Sequence, residues 1–326
     1  MRSLILCLLG LCLGLSGHLN ASSDKPLPEL VLAGPGTLVS YPLFRMIETK
    51  ALAPYADKVR FRHWQTPDQM RAMVVSGQAH ASAVPTNVAA MFYNRGQEVR
   101  LLNVSVWGLL WLISSDADKN SLKDFAGSNL MVPFKNDMPD LMFRTLSEAQ
   151  QLPADSSFKL HYAASGMNAM QMLLAGKVEH AVLPEPAVSM LLMRNKKKGK
   201  RPLYRALDLS QTWKESFPQA PRIPQAGIMS TSALADKPEL RQAIAQAYQQ
   251  ATQWCRDNIQ ACAQLAHQYL PHIPVAGAAE ALKHSPLNSQ PAHQVQQDLE
   301  AFFTKVGKLD KRKIGGKLPS DEFYQP

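Results

Sequence analysis

Two segments of this chain of 326 residues follow the same pattern, and the repeat constrains the fold more than any other feature. Residues 70–91 read MRAMVVSGQAHASAVPTNVAAM, and residues 170–191 read MQMLLAGKVEHAVLPEPAVSML. Each contains a Met-rich stretch, a glycine, a short apolar run and a proline; the glycines and prolines are Gly77, Gly176, Pro85 and Pro184. Glycine ends a helix, a short apolar run forms a buried strand, and proline favours the start of the next helix. Because open α/β sheets bind ligands where a parallel strand gives way to a helix, the repeat predicts two similar lobes that face each other across a cleft.

The composition indicates a folded protein without a nucleic-acid partner. Hydrophobic residues make up 46% of the chain and charged residues 19%, as in globular proteins. The net charge of +9 arises mainly from one basic run, RNKKKGKR, at residues 194–201. No aromatic residue interrupts this run, so a solvated loop explains it better than contact with nucleic acid or a membrane surface.

The first residues predict a secretory signal peptide at residues 1–21. Arg2 precedes an apolar run, Leu4–Leu15, which is too short to span a bilayer and is followed by a polar stretch. We expect cleavage after Gly17 or Ala21, which makes the mature protein secreted or periplasmic. A retained anchor helix is the alternative.

The two cysteines beyond this segment, Cys255 and Cys262, are predicted to form a disulfide, because an oxidising compartment favours one. On one unbroken helix these residues would lie about 10.5 Å apart along the axis, too far for a disulfide. The disulfide therefore requires the helix to break near Asp257 and Asn258. Two buried free thiols are the alternative.

Strand and helix patterns alternate along both halves of the chain, which is typical of α/β sheets that are mainly parallel. The second half repeats the order of the first, and the apolar strand at residues 108–115 corresponds to the strand at residues 226–232. These two strands are the expected crossovers between the lobes. We predict lobe 1 at residues 27–112 and 229–326, and lobe 2 at residues 113–228.

Several segments, in order, resemble one family. They are SGQAHASAVPTNVAAMFYNRGQEVRLL (76–102), SLKDFAGSNLMVP (121–133), LLAGKVEHAVLPEP (173–186), KPELRQAIAQAYQQATQW (237–254) and IGGKLPSDEFY (314–324). With them the chain resembles the periplasmic substrate-binding proteins of ABC importers in the nitrate, sulfonate and taurine class, which includes binders of thiamine-pyrimidine precursors. The loops GPGTLVSYP (34–42) and PFKNDMPD (133–140) depart from the family pattern.

The resemblance implies an α/β fold of the two-lobed periplasmic-binding-protein type II, with two crossover strands and two mainly parallel sheets flanked by helices. It implies a monomer that binds a small molecule between the lobes, needs no cofactor and delivers the molecule to an inner-membrane ABC permease. An enzyme on the same scaffold and a periplasmic ligand sensor are the alternatives.

In lobe 1 the candidate ligand-binding residues follow two predicted strands. Glycines in the loop after the first strand let the backbone approach a ligand, and the helix start beyond it offers unpaired N–H groups. The candidates there are Thr37, Ser40 and Tyr41, and after Pro85 they are Thr86 and Asn87. A tight turn and ordinary helix caps are the structural alternatives.

In lobe 2 the equivalent positions are Phe134, Asn136, Asp137 and Ser165, together with Glu185 in the second copy of the repeat. Glu185 is either a helix cap or a ligand contact. As a contact it would bind an ammonium or a heterocyclic N–H group and would repel an anion. The resemblance instead favours a small organic anion, so both ligand classes remain open.

Trp107 lies beside the first predicted crossover, where its ring could stack on a flat ligand. The nine histidines show no metal-binding spacing, and we predict no metal site. His80 and His180, on the two repeated strands, are predicted to be structural.

Overall fold

The computed structural model describes residues 26–199 and 201–326, which form two β-sheets flanked by α-helices. The predicted signal peptide lies outside these residues. The strands are β1 (Leu30–Gly34), β2 (Val59–His63), β3 (Ala81–Pro85), β4 (Arg100–Val106), β5 (Leu110–Ser114), β6 (Asn129–Pro133), β7 (Lys159–Ala163), β8 (His180–Pro184), β9 (Tyr204–Asp208), β10 (Ala226–Ser230) and β11 (Gln290–Pro291).

The helices cover both sheets. They are α1 (Tyr41–Glu48), α2 (Pro67–Val75), α3 (Thr86–Asn94), α4 (Met138–Ala149), α5 (Ala154–Ser157), α6 (Gly166–Leu174), α7 (Ala187–Lys198), α8 (Leu209–Ser216), α9 (Pro238–Asp257), α10 (Ile259–Tyr269), α11 (Val275–His284) and α12 (Gln296–Leu309). Within the two described ranges, no helix has the length and apolar character needed to span a membrane.

The two sheets have equivalent topologies. The first sheet has the order β11-β4-β10-β3-β1-β2 and the second the order β7-β6-β8-β5-β9. When the short β11 is left aside, each sheet has an antiparallel strand between the third and fourth strands of its half. In the first sheet β10 lies between β3 and β4, and in the second sheet β5 lies between β8 and β9. This equivalence confirms the prediction that the two halves of the chain build similar α/β units.

Each reversed strand comes from the other half of the chain. β5 follows β4 directly in sequence but pairs with β8 and β9, and β10 follows α8 but pairs with β3 and β4. The chain thus passes between the sheets at residues 107–109 and 217–225. The pairing is mixed, because β1 is parallel to β2 and β3 whereas each crossover strand is antiparallel to both neighbours.

We call the first sheet and its helices the first lobe, and the second sheet and its helices the second lobe. The lobe boundaries predicted at 112/113 and 228/229 fall inside β5 and β10. The division of the chain into these lobes remains a proposal.

The repeated segments adopt the predicted succession of helix, strand and helix. Gly77 follows α2 with a φ of 69° and Gly176 follows α6 with a φ of 72°, a left-handed conformation that glycine adopts without strain. Both helices begin with a capping hydroxyl. The side chain of Thr66 accepts a hydrogen bond from the Gln69 N–H at 3.2 Å, and Ser165 accepts one from the Asn168 N–H at 3.0 Å.

The predicted disulfide joins α9 to α10. α9 ends at Asp257, Asn258 leaves the helical conformation with φ −131° and ψ 54°, and α10 begins at Ile259. The break brings the Cα atoms of Cys255 and Cys262 to 5.1 Å, and the two residues form a disulfide. The geometric requirement derived from the sequence is confirmed.

Candidate ligand-binding site

A cavity of about 540 Å³ lies between the two lobes. It is lined by residues at or just beyond the carboxyl ends of β1, β2 and β3 in the first lobe and of β6, β7 and β8 in the second. The equivalent strands of the two halves thus contribute to a single cavity. Carboxyl ends of parallel strands are the usual place for ligands in α/β folds, and the volume suits a small organic molecule.

Five helices begin at this cavity: α2, α3, α4, α6 and α7. Residues from the first turn of each helix, or just before it, line the space, for example Pro67, Pro85, Met138, Gly166 and Ala187. The start of a helix carries a partial positive charge and unpaired N–H groups. The cavity is therefore surrounded by favourable positions for electronegative atoms.

The side chains that line the cavity are mostly apolar. Four methionines contribute, Met70, Met138, Met167 and Met190, together with Phe134 and several prolines. Among the described lining residues there is no lysine or arginine, and the single carboxylate is Asp137. A ligand is therefore in contact mainly with apolar surface and meets no full positive charge.

Two histidines, His63 and His272, are among the polar residues of the first lobe's wall and lie beside the loop that follows β1. Their rings stack with centroids 5.6 Å apart and planes inclined by 23°. A Cβ atom at Gly36 would lie 3.3 Å from His272 Nε2 and 3.4 Å from His63 Nε2, so both nitrogens face that glycine. Burial lowers the pKa of each imidazole, and the pKa of His63 is lowered further by its neighbour His272. Both shifts favour the neutral form of the imidazole.

One ion pair joins the lobes at the cavity. Arg71 on α2 donates a short hydrogen bond to Asp137, which precedes α4. Burial raises the pKa of the Asp137 carboxyl, and the positive charge of Arg71 opposes that shift. Nearby, Lys313 Nζ donates to the backbone oxygen of Asn136 at 3.1 Å. Two cationic side chains of the first lobe, Arg71 and Lys313, therefore contact the loop that follows β6 in the second lobe.

Four of the residues predicted from the sequence line the cavity: Thr37, Phe134, Asp137 and Ser165. The other seven do not: Ser40, Tyr41, Thr86, Asn87, Trp107, Asn136 and Glu185. Phe134 and Asn136 have positive φ angles of 58° and 67°, a conformation rare in residues other than glycine, which turns the loop after β6 sharply towards α4.

Glu185 is fully buried inside the second lobe. Its Oε1 atom accepts a hydrogen bond from Arg205 Nη2 at 2.5 Å, and its Oε2 atom accepts one from the Ser189 N–H at 3.0 Å. Arg205 also donates to Ser189 Oγ at 3.0 Å. Both carboxylate oxygens are thus engaged by the protein, and Pro184, Pro186 and Ala187 occupy the cavity wall around this position.

Thr86 and Asn87 hold the first copy of the repeat to other parts of the chain. Thr86 Oγ1 donates to the carbonyl oxygen of Pro224, in the crossover segment, at 2.6 Å. Asn87 Nδ2 donates to the carbonyl oxygen of Lys313 at 3.1 Å. The Thr86 bond fixes the start of α3 relative to the second crossover, and the Asn87 bond fixes it to the segment around Lys313.

Ser40, Tyr41 and Trp107 have contacts within the protein. Ser40 Oγ donates to the Pro35 carbonyl oxygen at 2.7 Å, and the fully buried Tyr41 has a raised pKa because of desolvation. The Trp107 indole N–H donates to the Asn288 carbonyl oxygen at 2.7 Å, while the Arg222 guanidinium lies 3.8 Å from the centre of its ring. Trp107 therefore connects the two crossover segments.

Sequence reasoning did not identify several lining residues: Trp64, Met190, Gln225, His63 and His272. Trp64 could have been inferred, since it ends the β2 pattern just before the Thr66 cap. Gln225 lies in an irregular crossover without a recognisable pattern. No group of three or more His, Cys, Asp or Glu residues is placed to hold a metal ion in the part of the chain that the structure describes.

A two-lobed α/β fold with a cavity between the lobes defines a class: the chain has the fold of the periplasmic binding proteins of ABC importers. It is similar to an ABC transporter structure from Parabacteroides distasonis, with a TM-score of 0.73 and 20% identity over 92% of this chain and 99% of that chain. It is also similar to the periplasmic aliphatic sulphonate-binding protein SsuA from Escherichia coli, with a TM-score of 0.65 and 14% identity over 90% and 93% of the two chains.

A third similar structure is the periplasmic nitrate-binding protein NrtA from Synechocystis PCC 6803. Its TM-score is 0.68 and its identity 14%, over 88% of this chain and 84% of that chain. No protein-family model and no curated protein matches the chain. At these identities the structural similarity shows the fold, which confirms the fold expected from the resemblance.

Proposed function

We propose that this protein is a periplasmic solute-binding protein, which captures a small molecule between its lobes and delivers it to an inner-membrane ABC permease. The observation that carries the proposal is the single cavity built from equivalent strand ends of both halves. A ligand in it would contact both lobes at once, and its differential affinity would stabilise the closed arrangement. The similar structures named above are transport or binding proteins, which supports the same role.

Three polar side chains of the cavity wall are engaged within the protein, which supports a binding role. The hydroxyl groups of Thr66 and Ser165, which line it, cap the helices that follow them. The side chain of Asp137 is engaged by Arg71. The two hydroxyl groups therefore position the backbone, and the Asp137 carboxylate joins the two lobes.

The ligand class is the open part of the proposal. Five helix starts favour electronegative groups, which supports the organic anion implied by the resemblance. The nitrogen-heterocycle alternative rests on Glu185, whose carboxylate is paired with Arg205, and on the aromatic residues Trp107 and Phe134, of which Phe134 lines the cavity. The apolar lining indicates that, in either class, most of the ligand's surface is apolar.

The proposal is tested by identifying the bound molecule. Protein secreted to the periplasm and purified without dialysis against additives is denatured, and the released small molecules are identified by mass spectrometry. We expect one compound at close to one equivalent. The variant Ala164→Trp fills the cavity from an exposed position of its wall and should release none, whereas Ala175→Trp, exposed on the same lobe outside the cavity, should release the same amount as the unmodified protein.

Equal amounts of one compound from both variants would place the binding site elsewhere. No compound from any of the three proteins, together with no change in thermal stability across a panel of sulfonates, nitrate, amides and heterocycles, would contradict the binding role itself. A sensor of the same ligand would give the same biochemical results, and transport assays in a strain lacking the neighbouring permease genes separate the two roles.

A further inference from the structure

The two histidines of the cavity wall, His63 and His272, have rings without a hydrogen bond to any other residue in the ranges 26–199 and 201–326. His63 is partly exposed and His272 is exposed. Five other histidines use their ring nitrogens within the protein: His80, His161, His180, His267 and His284. The ring nitrogens of His63 and His272 therefore remain free for a ligand.

The backbone places both rings beside the loop that follows β1. His63 is the last residue of β2 and is paired in register with Gly34, the last residue of β1. His272 precedes Ile273, whose N–H donates to the Leu270 carbonyl oxygen at 2.9 Å and whose own carbonyl oxygen accepts from His267 Nδ1 at 2.9 Å. The loop that bears His272 is thus fixed to the end of α10.

Both Nε2 atoms border one small space. A Cβ atom at Gly36 would lie 3.3 Å from Nε2 of His272 and 3.4 Å from Nε2 of His63, and Gly36 itself lines the cavity. Since glycine has no side chain, this space stays open to a ligand. A protonated imidazole donates from both of its nitrogens, so an acceptor next to Gly36 is able to bind both rings.

These rings are also the groups of the cavity wall that are able to gain a positive charge near neutral pH. The described lining residues include no lysine or arginine, and their single carboxylate, Asp137, is paired with Arg71. A negatively charged group in the cavity therefore has no permanent counter-charge on the wall. Protonation of one imidazole would supply one.

The charged groups around the pair are engaged elsewhere. On its other side, His63 borders a depression whose remaining lining residues do not titrate: Gln65, Gln69, Ala72, Met73 and Gln78. Of the neighbouring charges, Arg62 donates to Gln78 Oε1 at 2.7 Å, and Asp68 pairs with Arg71 at 3.0 Å. Glu48 of α1 accepts from the Tyr269 hydroxyl at 2.8 Å.

We propose that His63 and His272 form an anion subsite of this cavity, which binds the negatively charged group of an organic ligand and takes up a proton from solvent as it does so. This inference rests on the proposed solute-binding function and deepens it, because it selects the organic anion from the two ligand classes. The charged group lies beside Gly36, and the apolar body of the ligand contacts the methionines of the wall.

The proposal fixes the sign of the pH dependence. Burial lowers the pKa of both imidazoles in the ligand-free protein, and the anion would raise the pKa of the pair, because opposite charges favour the protonated form. The complex then holds more protons than the free protein. Affinity for the anion therefore rises as the pH falls, by at most about tenfold per pH unit for one proton.

Probes of matched shape test the coupling. Benzoate and benzenesulfonate are anions between pH 6 and 8, and benzamide is their neutral counterpart. Affinities are measured by calorimetry in Bis-Tris and Tris, which are cationic buffers, on protein freed of bound molecules by unfolding and refolding. We expect at least one anion to bind about tenfold more tightly at pH 6 than at pH 8, with benzamide changing less than about threefold. At pH 7 the heat of anion binding should depend on the buffer, which shows proton uptake.

Variants assign the effect to the two rings. His63→Gln and His272→Gln should each reduce the pH dependence of anion binding, and the double variant should reduce it to less than about twofold. The double variant should also lose more affinity for the anion than for benzamide, which separates loss of charge from a change of cavity shape. His293→Gln, exposed outside the cavity, is the control and should leave all affinities unchanged.

The outcomes separate the inference from the proposed function. Anion affinities that do not depend on pH, or benzamide binding more tightly than both anions at pH 6, overturn the inference and leave the solute-binding role in place. A pH dependence that persists in the double variant overturns the assignment to the histidines. If none of the three probes binds at millimolar concentration, the inference fails; if the purified protein also releases no compound on denaturation, the proposed function fails with it.

Discussion

The two copies of the repeat have the same succession of helix, strand and helix but are fixed by different chemistry. In the first copy, α2-β3-α3, the residues after Pro85 make neutral hydrogen bonds to distant segments, from Thr86 to the second crossover and from Asn87 to the C-terminal region. In the second copy, α6-β8-α7, Glu185 follows the equivalent proline and forms a buried ion pair with Arg205 of the same lobe.

This difference gives the two copies different structural roles: the first is connected to the second crossover, and the second is fixed within its own lobe. Hydrogen bonds from Thr86 in the first copy connect the turn after β3 to the second crossover, so we expect a movement of the crossover to shift that turn. The ion pair of the second copy makes its turn a rigid part of the second lobe. In both copies the prolines, and not the polar residues after them, form the cavity wall.

The largest expected effect concerns the ion pair. Glu185→Ala should lower the free energy of unfolding by about 3–5 kcal/mol, because it leaves the Arg205 guanidinium, only 16% exposed, without its counter-charge. Denaturation by urea measures the loss. The double variant Glu185→Ala, Arg205→Met should recover most of it.

Glu179→Ala is the matched control, since Glu179 pairs with Arg201 at 3.9 Å on the surface, with its side chain 69% exposed. It should cost less than about 1 kcal/mol. Equal losses of stability in Glu179→Ala and Glu185→Ala would show that the buried ion pair of the second copy contributes no more than a surface ion pair.

The next effect concerns the first copy. Thr86→Val removes the hydroxyl that donates to the Pro224 carbonyl oxygen and should cost about 1–3 kcal/mol of stability. Amide hydrogen exchange should also accelerate across residues 217–225. Thr86→Ser retains the hydroxyl and should preserve most of the protection from exchange. Unchanged exchange rates in Thr86→Val would contradict the proposed connection between Thr86 and the crossover.

A smaller effect follows from the histidines at the starts of the repeated strands: His80 directly precedes β3, and His180 is the first residue of β8. His80 Nδ1 accepts a hydrogen bond from the Val31 N–H at 3.1 Å, and His180 Nδ1 lies 3.0 Å from Ser114 Oγ. Burial lowers the pKa of both imidazoles, although nearby Glu29 acts to raise that of His80. Below about pH 6.5 the unfolded chain therefore binds more protons than the folded one, and stability falls as the pH is lowered.

Each group can contribute at most about 1.4 kcal/mol per pH unit to this loss. Protonated His80 can no longer accept from Val31, whereas the Ser114 hydroxyl can turn to accept from protonated His180. His80→Gln should therefore flatten the dependence of stability on pH between 7.5 and 5 more than His180→Gln does. The reverse order, measured by urea denaturation at both pH values, would contradict the different roles assigned to the two histidines.

The smallest effect concerns the contact between the lobes. Arg71→Gln removes the bond to Asp137, and we expect the affinity for the bound molecule to fall by less than about tenfold, mainly through faster dissociation. Asp68→Asn is the control, because Asp68 binds the same arginine within α2 at 3.0 Å and is 93% exposed. Stopped-flow fluorescence measures the rate at which the ligand dissociates. Equal rates for the two variants would show that the ion pair between the lobes does not slow dissociation.

The sequence predicted the parts of the fold that depend on local patterns. The repeat predicted the succession of strands and helices in both halves and the correspondence of β5 with β10, and helix geometry predicted the break that the disulfide needs near Asn258. The antiparallel direction of the crossover strands was not predicted, because it depends on which sheet receives each strand.

The candidate site was predicted at the level of loops more than of side chains. All the loops chosen from the sequence approach the cavity, but Glu185 is turned away by Arg205, a partner on another strand that a linear pattern cannot reveal. Gln225 lies in an irregular segment and is brought to the cavity only by the pairing of β10 with β3 and β4.

The central claim is that the lobes close over a ligand held between them. Spin labels at Asp68→Cys and Lys135→Cys, exposed on either side of the cavity, report the distance across its mouth by pulsed electron paramagnetic resonance. In protein freed of bound molecules we predict a broad distribution extending to longer distances, which narrows to the short distance when the released small-molecule fraction is added back. The same distribution with and without that fraction would contradict the account.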